Sequence, residues 1–184
     1  MTSANLYQQL IDLPETLTGE ILDGRLHTQP SLAGPQHCAK MALSYRLFEA
    51  FSSRRGGQGG WRILPAIEIH FVRDVEVAVP DFSGWRRERM LAFPEDQRFE
   101  VVPDWVCEIL TSATAAKDRD IKLPLYLRRG IRYAWLVDPD ARALEAFEAG
   151  EGTWRQVGRV VGAGRVSLPP FEVLSFPAAE LWGW

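Results

Sequence analysis

Two carboxylates and two lysines carry the candidate chemistry of this chain. Asp81 follows Pro80 at the end of an apolar run, Val77-Ala78-Val79. Glu108 stands among Val106, Cys107, Ile109 and Leu110, near the end of the next long apolar run. A charge in such company needs a partner, because burying it unpaired is very costly. If the two runs are neighbouring strands, both carboxylates converge at one end of a sheet. Carboxylates held close together repel unless a proton or a divalent cation lies between them. Oxygen ligands with room for water suit Mg²⁺ or Mn²⁺ rather than zinc.

Side chains two apart on a strand share a face, so a cation beside Glu108 could come from position 110. That residue is Leu110. The next sources are Lys117 and Lys122, on the helix that follows. Lys122 has Asp118 one turn before it and Tyr126 one turn after, on the same helical face. From there a lysine can orient or deprotonate a metal-bound water, or steady the charge of a pentavalent phosphate. Lysine is also the rarer cation: the chain has 18 Arg against only Lys40, Lys117 and Lys122. Its generic positive charge is arginine, so a lysine is mildly informative. The ammonium is a compact charge whose pKa shifts readily.

Each residue has a plainer alternative. Asp81 after Pro is also a good turn or cap residue. Glu108 could sit in a structural ion pair with Arg119 or Arg132. Lys117 and Lys122 could be solvated helix residues, and Glu20 could merely flank a hairpin. His37, at the start of a helix, could be a cap or a supporting donor. His70 alternates with Ile69 and Phe71, which places it on the outer face of a strand. Asp138-Pro139 reads as turn chemistry. Arg54-Arg55, Arg86-Arg87 with Arg89, and Arg128-Arg129 with Arg132 are candidate phosphate contacts. Trp61, Trp85, Trp105, Trp135 and Trp154 read as core rather than as base-stacking groups.

The elements that must position these residues follow from pattern. Residues 101–139 read as strand, helix, strand. The helix runs from about 114, with Thr114 as cap, to about 129, and stops at Gly130. Pro124 within it predicts a kink or a break. Upstream, Leu6, Leu10 and Leu13 have helical spacing. Ile21-Leu22, Asp23-Gly24 and Arg25-Leu26 read as a hairpin with an Asp-Gly turn. Residues 28–34 form a loop, and Pro35 opens a helix to about Ser52. Cys38, Met41, Ala42, Tyr45 and Phe48 make its expected apolar stripe. Residues 61–73 read as one half-buried strand and 77–82 as a second, interrupted at Pro80. Residues 84–100 read as a surface excursion. Strands follow at 131–137, 144–148, 154–160 and 166–168, and the tail, with Phe171, Phe176, Trp182 and Trp184, is aromatic cover.

At 184 residues the chain reads as a single domain, residues 1–184, long enough for a core without staples. Its 46% hydrophobic and 24% charged residues are ordinary for a soluble globular protein. The net charge of −3 gives no general basic character. A local basic patch remains compatible with that balance. Cys38 and Cys107 make no zinc pattern and read as reduced core residues of a cytoplasmic protein. No apolar run approaches the ~20 residues of a membrane helix, and the N-terminus lacks a signal-peptide pattern.

Taken in order, the motifs resemble a known family. They are Pro80-Asp81, Glu108-Ile109-Leu110-Thr111-Ser112, Lys122-x-x-x-Tyr126-x-x-x-Gly130-Ile131 and Tyr133-Ala134-Trp135-Leu136-Val137-Asp138-Pro139. With Glu20-Ile21-Leu22-Asp23-Gly24 and Pro35-Gln36-His37, they resemble the putative restriction endonuclease family of the PD-(D/E)XK nuclease superfamily. The similarity covers roughly residues 6–147. It implies an α/β, mixed α+β fold, a restriction-endonuclease-like central mixed β-sheet flanked by helices, with extra antiparallel β-hairpins. It implies a Mg²⁺ (or Mn²⁺) site, hydrolysis of DNA phosphodiesters and a homodimer. On this resemblance Asp81 and Glu108 are metal ligands, the Ile109 carbonyl completes the protein ligands, Lys122 is the catalytic lysine, and Glu20 is an accessory acid. Leu110 departs from the superfamily pattern, which has a lysine on the strand. Two rival expectations remain: a nuclease fold kept as a binding module with little turnover, and a hydrolase of RNA or another phosphate substrate.

Overall fold

The computed structural model describes residues 3–30, 34–52 and 60–183. Part of the expected loop (31–33), Arg54-Arg55 with the Gly-rich connection, and Trp184 lie outside the described residues. Helix α1 (Ser3–Ile11) packs on a hairpin of β1 (Leu17–Leu22) and β2 (Arg25–Pro30). The hairpin turn is the expected Asp23-Gly24, with both residues at positive φ, 48° and 72°. A two-residue turn between right-twisted strands demands that conformation, which Asp tolerates and Gly adopts without strain.

Helix α2 (Gly34–Leu47) continues into a π turn, Phe48–Ser52. Four strands follow: β3 (Trp61–Pro65), β4 (Ile69–Val72), β5 (Glu76–Ala78) and β6 (Phe82–Arg86). Next come β7 (Trp105–Ile109) and a helical segment of α3 (Ala115–Lys117), a π turn (Asp118–Lys122) and α4 (Leu123–Arg128). The chain closes with β8 (Tyr133–Asp138), β9 (Ala143–Gly150), β10 (Thr153–Val161), β11 (Arg165–Val166), β12 (Phe176–Pro177) and a 3₁₀ turn, Ala178–Leu181.

The central sheet has the order β10-β9-β8-β7-β6-β3. Its one parallel pair is β7 with β8. A parallel pair needs a crossover, and the helical segment 115–128 supplies it. A smaller antiparallel sheet, β2-β1-β5-β4, stands beside it. This is the expected mixed central sheet with helices and extra antiparallel strands.

One face of the central sheet packs against α2 and the C-terminal segment through Trp105, Cys107, Ile109, Trp135 and Phe171. The other packs Val106, Leu110 and Leu136 against Leu123, Leu125 and Tyr126 of α4 and Leu22 of β1. The chain passes between the two sheets more than once. Residues 61–73, expected as one strand, are therefore two: β3 pairs with β6 in the central sheet, and β4 pairs with β5 in the smaller one. Ala66, at φ 47°, lies at the break.

Residues 84–86, expected in a surface excursion, belong to β6, where Gly84 and Trp85 are buried and Arg86 is exposed. Glycine suits position 84 because a Cβ there would stand only 3.0 Å from the Trp105 ring. The apolar stripe of α2 is also corrected. Ala39, Leu43 and Leu47 face the core, while Met41, Tyr45 and Phe48 are exposed. Cys38, expected in the core, is exposed, whereas Cys107 is buried. His70, expected on the outer face, is buried between Glu68 and Asp74 with the Tyr7 ring edge-on to it. Among the described residues no helix is long and apolar enough to cross a membrane.

Candidate active site

Five stretches of the chain meet at one end of the central sheet. β1 brings Glu20, which shares its face with Leu22 and is fully buried. Alternation along a strand explains that placement: Ile21 turns to α1, while Glu20 and Leu22 turn to the helical segment. β7 likewise turns Trp105, Cys107 and Ile109 one way and Val106, Glu108 and Leu110 the other. Asp81 immediately precedes β6 rather than closing the strand before it, because Pro80 interrupts pairing between β5 and β6. Phe82 stands opposite Cys107 in the antiparallel β6–β7 register, so the next position outward sets Asp81 opposite Glu108.

The helical segment delivers the lysines. Pro124 lies at the start of α4, where its missing N–H is least disruptive. The expected break takes the form of the π turn just before it, and the segment stays helical from 115 to 128. The Lys122 ammonium lies 2.8 Å from Glu108 Oε2, 2.8 Å from Glu20 Oε1 and 3.9 Å from Asp118 Oδ1. Tyr126 donates its hydroxyl to Glu108 Oε1. Lys117 lies 2.5 Å from Glu20 Oε2 and also donates to Gln29 Oε1 on β2. The Val79 N–H donates to Glu20 Oε1 at 2.9 Å.

Asp81 is held at both oxygens. The Ile109 N–H donates to Oδ2 at 2.7 Å, and Lys40 from α2 lies 2.9 Å from Oδ1. Glu20, Asp81, Glu108 and Lys122 are thus brought together, with Ile109 beside them and Lys117 in the same cluster. The alternative partners of Glu108 are engaged elsewhere: Arg119 with Glu145 at 2.5 Å and Arg132 with Glu148 at 3.8 Å. Sequence reasoning missed Lys40. Its one signal was rarity, for all three lysines of this arginine-rich chain belong to the cluster.

The candidate phosphate contacts are mostly committed elsewhere. Arg128 pairs with Asp23, Arg129 with Glu76, and Arg89 with Asp104. Arg86 stacks 4.2 Å above the Trp61 ring. Trp61, Trp85, Trp105 and Trp135 are buried, as expected, and Trp154 is partly so.

The cluster has an inner and an outer part. Glu20, Glu108 and Lys122 are closed off, at 4% side-chain exposure or less. Asp81, Lys40 and Lys117 are 15–19% exposed. Asp81 and Lys40 border a recess of about 180 Å³ that Gln29 and His37 also line.

Charge sets the protonation of the inner part. Burial alone would push Glu20 up, but Lys122 and Lys117 outweigh it and hold the carboxyl below its usual range. Glu108 goes the other way. Burial raises it, Lys122 opposes, and Asp118, Asp81 and Glu20 add to the rise, leaving it pushed up to about 8. Burial would lower Lys122, yet Glu108, Glu20 and Asp118 prevail and raise it. Lys122 is therefore a firmly held ammonium rather than a proton acceptor. Burial, and then Glu108, pushes the Tyr126 hydroxyl well above its ordinary range, so it stays a donor.

Four acidic side chains, Glu20, Asp81, Glu108 and Asp118, gather around three ammoniums, and with Glu108 pushed up to about 8 a further cation would take the place of the proton it holds. Among the described residues its one partly open carboxylate is Asp81, with the closed-off Glu108 beside it at the sheet end. Among the described residues no three acidic, His or Cys side chains form a ready-made metal cage. Mg²⁺ does not ask for one: it commonly takes one or two carboxylates, keeps several waters and adds substrate phosphate. Asp81 and Glu108 fit that requirement.

The Uma2 family model, described as "Putative restriction endonuclease", matches residues 5–179. A crystal structure described as a putative nuclease belonging to DUF820, from Anabaena variabilis ATCC 29413, superposes with a TM-score of 0.75 at 20% identity. The match covers 97% of this chain and 97% of that one. No curated protein matches the chain.

Proposed function

The chain belongs to the Uma2 family of putative restriction endonucleases, and from that premise we propose a divalent-metal-dependent endonuclease that hydrolyses DNA phosphodiester bonds. The observation that carries the proposal is the meeting of Glu20, Asp81 and Glu108 with every lysine of the chain at one sheet end. Asp81 and Glu108, with the Ile109 carbonyl, would hold Mg²⁺ or Mn²⁺. When bound, the ion supplies Lewis acidity and an activated water for attack on phosphorus. The protein supplies placement. Tyr126 and Lys122 fix the Glu108 carboxylate from two sides, and the Ile109 N–H fixes Asp81. Lys122, held as an ammonium, steadies negative charge rather than removing a proton. Glu20 orients both Lys122 and Lys117, and the partly open Lys117 faces incoming phosphate.

Supercoiled DNA, RNA and nucleoside triphosphates should be assayed side by side with Mg²⁺, Mn²⁺ or EDTA. The expected result is metal-dependent DNA cleavage that Asp81→Asn and Glu108→Gln abolish. Cleavage of RNA or nucleotides alone would replace the substrate, and cleavage unaffected by both variants would overturn the site.

A second reading rests on the completeness of the existing contacts. Every oxygen of Asp81, Glu20 and Glu108 already has a partner. A nuclease fold retired to DNA or protein binding would keep that arrangement. It would take up no Mn²⁺, and Asp81→Ala would leave its binding function unchanged.

A further inference from the structure

We infer that Lys40 is an exchangeable cation of this site: it holds Asp81 Oδ1 until a divalent ion takes that oxygen, then turns to a non-bridging oxygen of a DNA phosphate in the recess. The inference rests on the metal-dependent nuclease reading and adds to it a substrate contact that the sequence motifs do not contain.

Three observations carry it. Lys40 reaches the cluster from α2, whose buried side (Ala39, Leu43, Leu47) serves the apolar core. Nothing in that packing asks for a charge, and the chain's usual surface cation is arginine. Second, the two Asp81 oxygens differ. Oδ2 is bound by a backbone N–H at the end of β7, which has no freedom to leave. Among the described residues Oδ1 is bound only by a side chain on a flexible stem, so it is the oxygen open to exchange. Third, the other site lysines are placed differently. Lys122 is enclosed by Glu20, Glu108 and the Val79 carbonyl, and Lys117 is tied to Glu20 and Gln29. Lys40 has Asp81, a recess beside it, and the Phe82 ring 6.0 Å away. Two cations sharing one carboxylate oxygen repel, and a phosphodiester entering the recess offers the displaced ammonium a new anion.

The test uses the full chain with Mn²⁺ as the metal probe and a DNA duplex held uncleaved in Ca²⁺. Calorimetric Mn²⁺ affinity without DNA, and the salt dependence of duplex binding, are compared for the wild type, Lys40→Met and Lys40→Arg. Lys40→Met is expected to bind Mn²⁺ about tenfold more tightly, because the competing charge is gone. Its DNA binding should weaken about tenfold, with a salt slope shallower by about 0.9, the signature of one lost phosphate contact. Lys40→Arg keeps the charge and should retain the slope without tightening Mn²⁺. It also keeps the comparison alive if Lys40→Met folds poorly. Lys40→Met with unchanged or weaker Mn²⁺ affinity and an unchanged slope overturns the inference and leaves Lys40 a tether for Asp81. A wild type that binds neither Mn²⁺ nor DNA overturns the nuclease reading itself, and the inference with it.

Discussion

The two faces of β7 set the terms on which this molecule is built. Trp105, Cys107 and Ile109 face an aromatic core in which Phe171 lies 4.8–5.5 Å from the rings of Phe51, Trp61, Trp105 and Trp135. Val106, Glu108 and Leu110 face α4, where one carboxylate interrupts an apolar surface. The first face is what stability selects: apolar area removed from water and rings in edge contact. Stability alone would not select the second. A buried ion cluster is often no better for folding than apolar residues of the same volume, because desolvation offsets the attraction between charges. A single strand thus separates the part that holds the fold together from the part to which the proposed chemistry is assigned.

The sharpest contrast comes from one variant on each face. Phe171→Ala should cost about 3–5 kcal/mol, as for large aromatic truncations in a packed core. Urea unfolding should show that loss, while the residual folded fraction keeps its specific activity. Lys122→Met should do the reverse. Nuclease turnover should drop by about 10²–10³, the usual effect of removing a placed electrostatic group. Stability should fall by less than the ~3–5 kcal/mol of a broken isolated ion pair. The reason is local: Glu20 keeps Lys117, and Glu108, pushed up to about 8, already holds a proton near neutral pH. A large stability loss with unchanged turnover would make Lys122 a structural residue and erase the contrast.

A third comparison sharpens the charged face through pH. Glu108 is held at about 8 when folded against 4.5 otherwise, mainly by burial. The folded state therefore binds that proton more tightly than the unfolded chain does. Between those values this group lowers stability as pH rises; below the window its effect vanishes, and above it the loss is constant. In EDTA, melting temperatures from pH 5 to 8 should fall more steeply for the wild type than for Glu108→Gln. Equal slopes would mean that Glu108 titrates as an ordinary carboxylate.

The smallest expected effect is that of Tyr126→Phe. It removes one hydroxyl from Glu108 and should cost about 1 kcal/mol of stability, the net worth of a typical hydrogen bond. Turnover should fall only a few-fold, since Lys122 still holds the other oxygen. A loss as large as that of Lys122→Met would assign Tyr126 a part in the chemistry itself.

The charged face was more legible in the sequence than the way the chain reaches it. Glu108 announced itself as a lone charge in an apolar run, and Lys122 by its helical spacing from Asp118 and Tyr126. The β1–β2 hairpin could be read from Asp23-Gly24, because few residue pairs accept positive φ twice in succession. Pro124 foretold an irregular turn, since it removes a donor whatever the tertiary context. Lys40 could not be found this way. It lies 41 residues from Asp81 on a helix with two competing apolar stripes, Ala39-Leu43-Leu47 and Met41-Tyr45-Phe48, and periodicity does not choose between them. His70 was misplaced for a related reason. Alternation names the two faces of a strand, but only Tyr7, Glu68 and Asp74, drawn from α1 and the turns flanking β4, decide that both are covered.

The most direct test of the charged face is a crystal structure with Mn²⁺, located by its anomalous signal. One ion bound by both Asp81 and Glu108, with Lys40 moved off Oδ1 and Lys122 still between Glu20 and Glu108, is the expected result. Asp81 remaining on Lys40 and Glu108 on Lys122, with no manganese at the sheet end in a saturating soak, would contradict a metal-dependent nuclease and leave a scaffold whose function lies in what it binds.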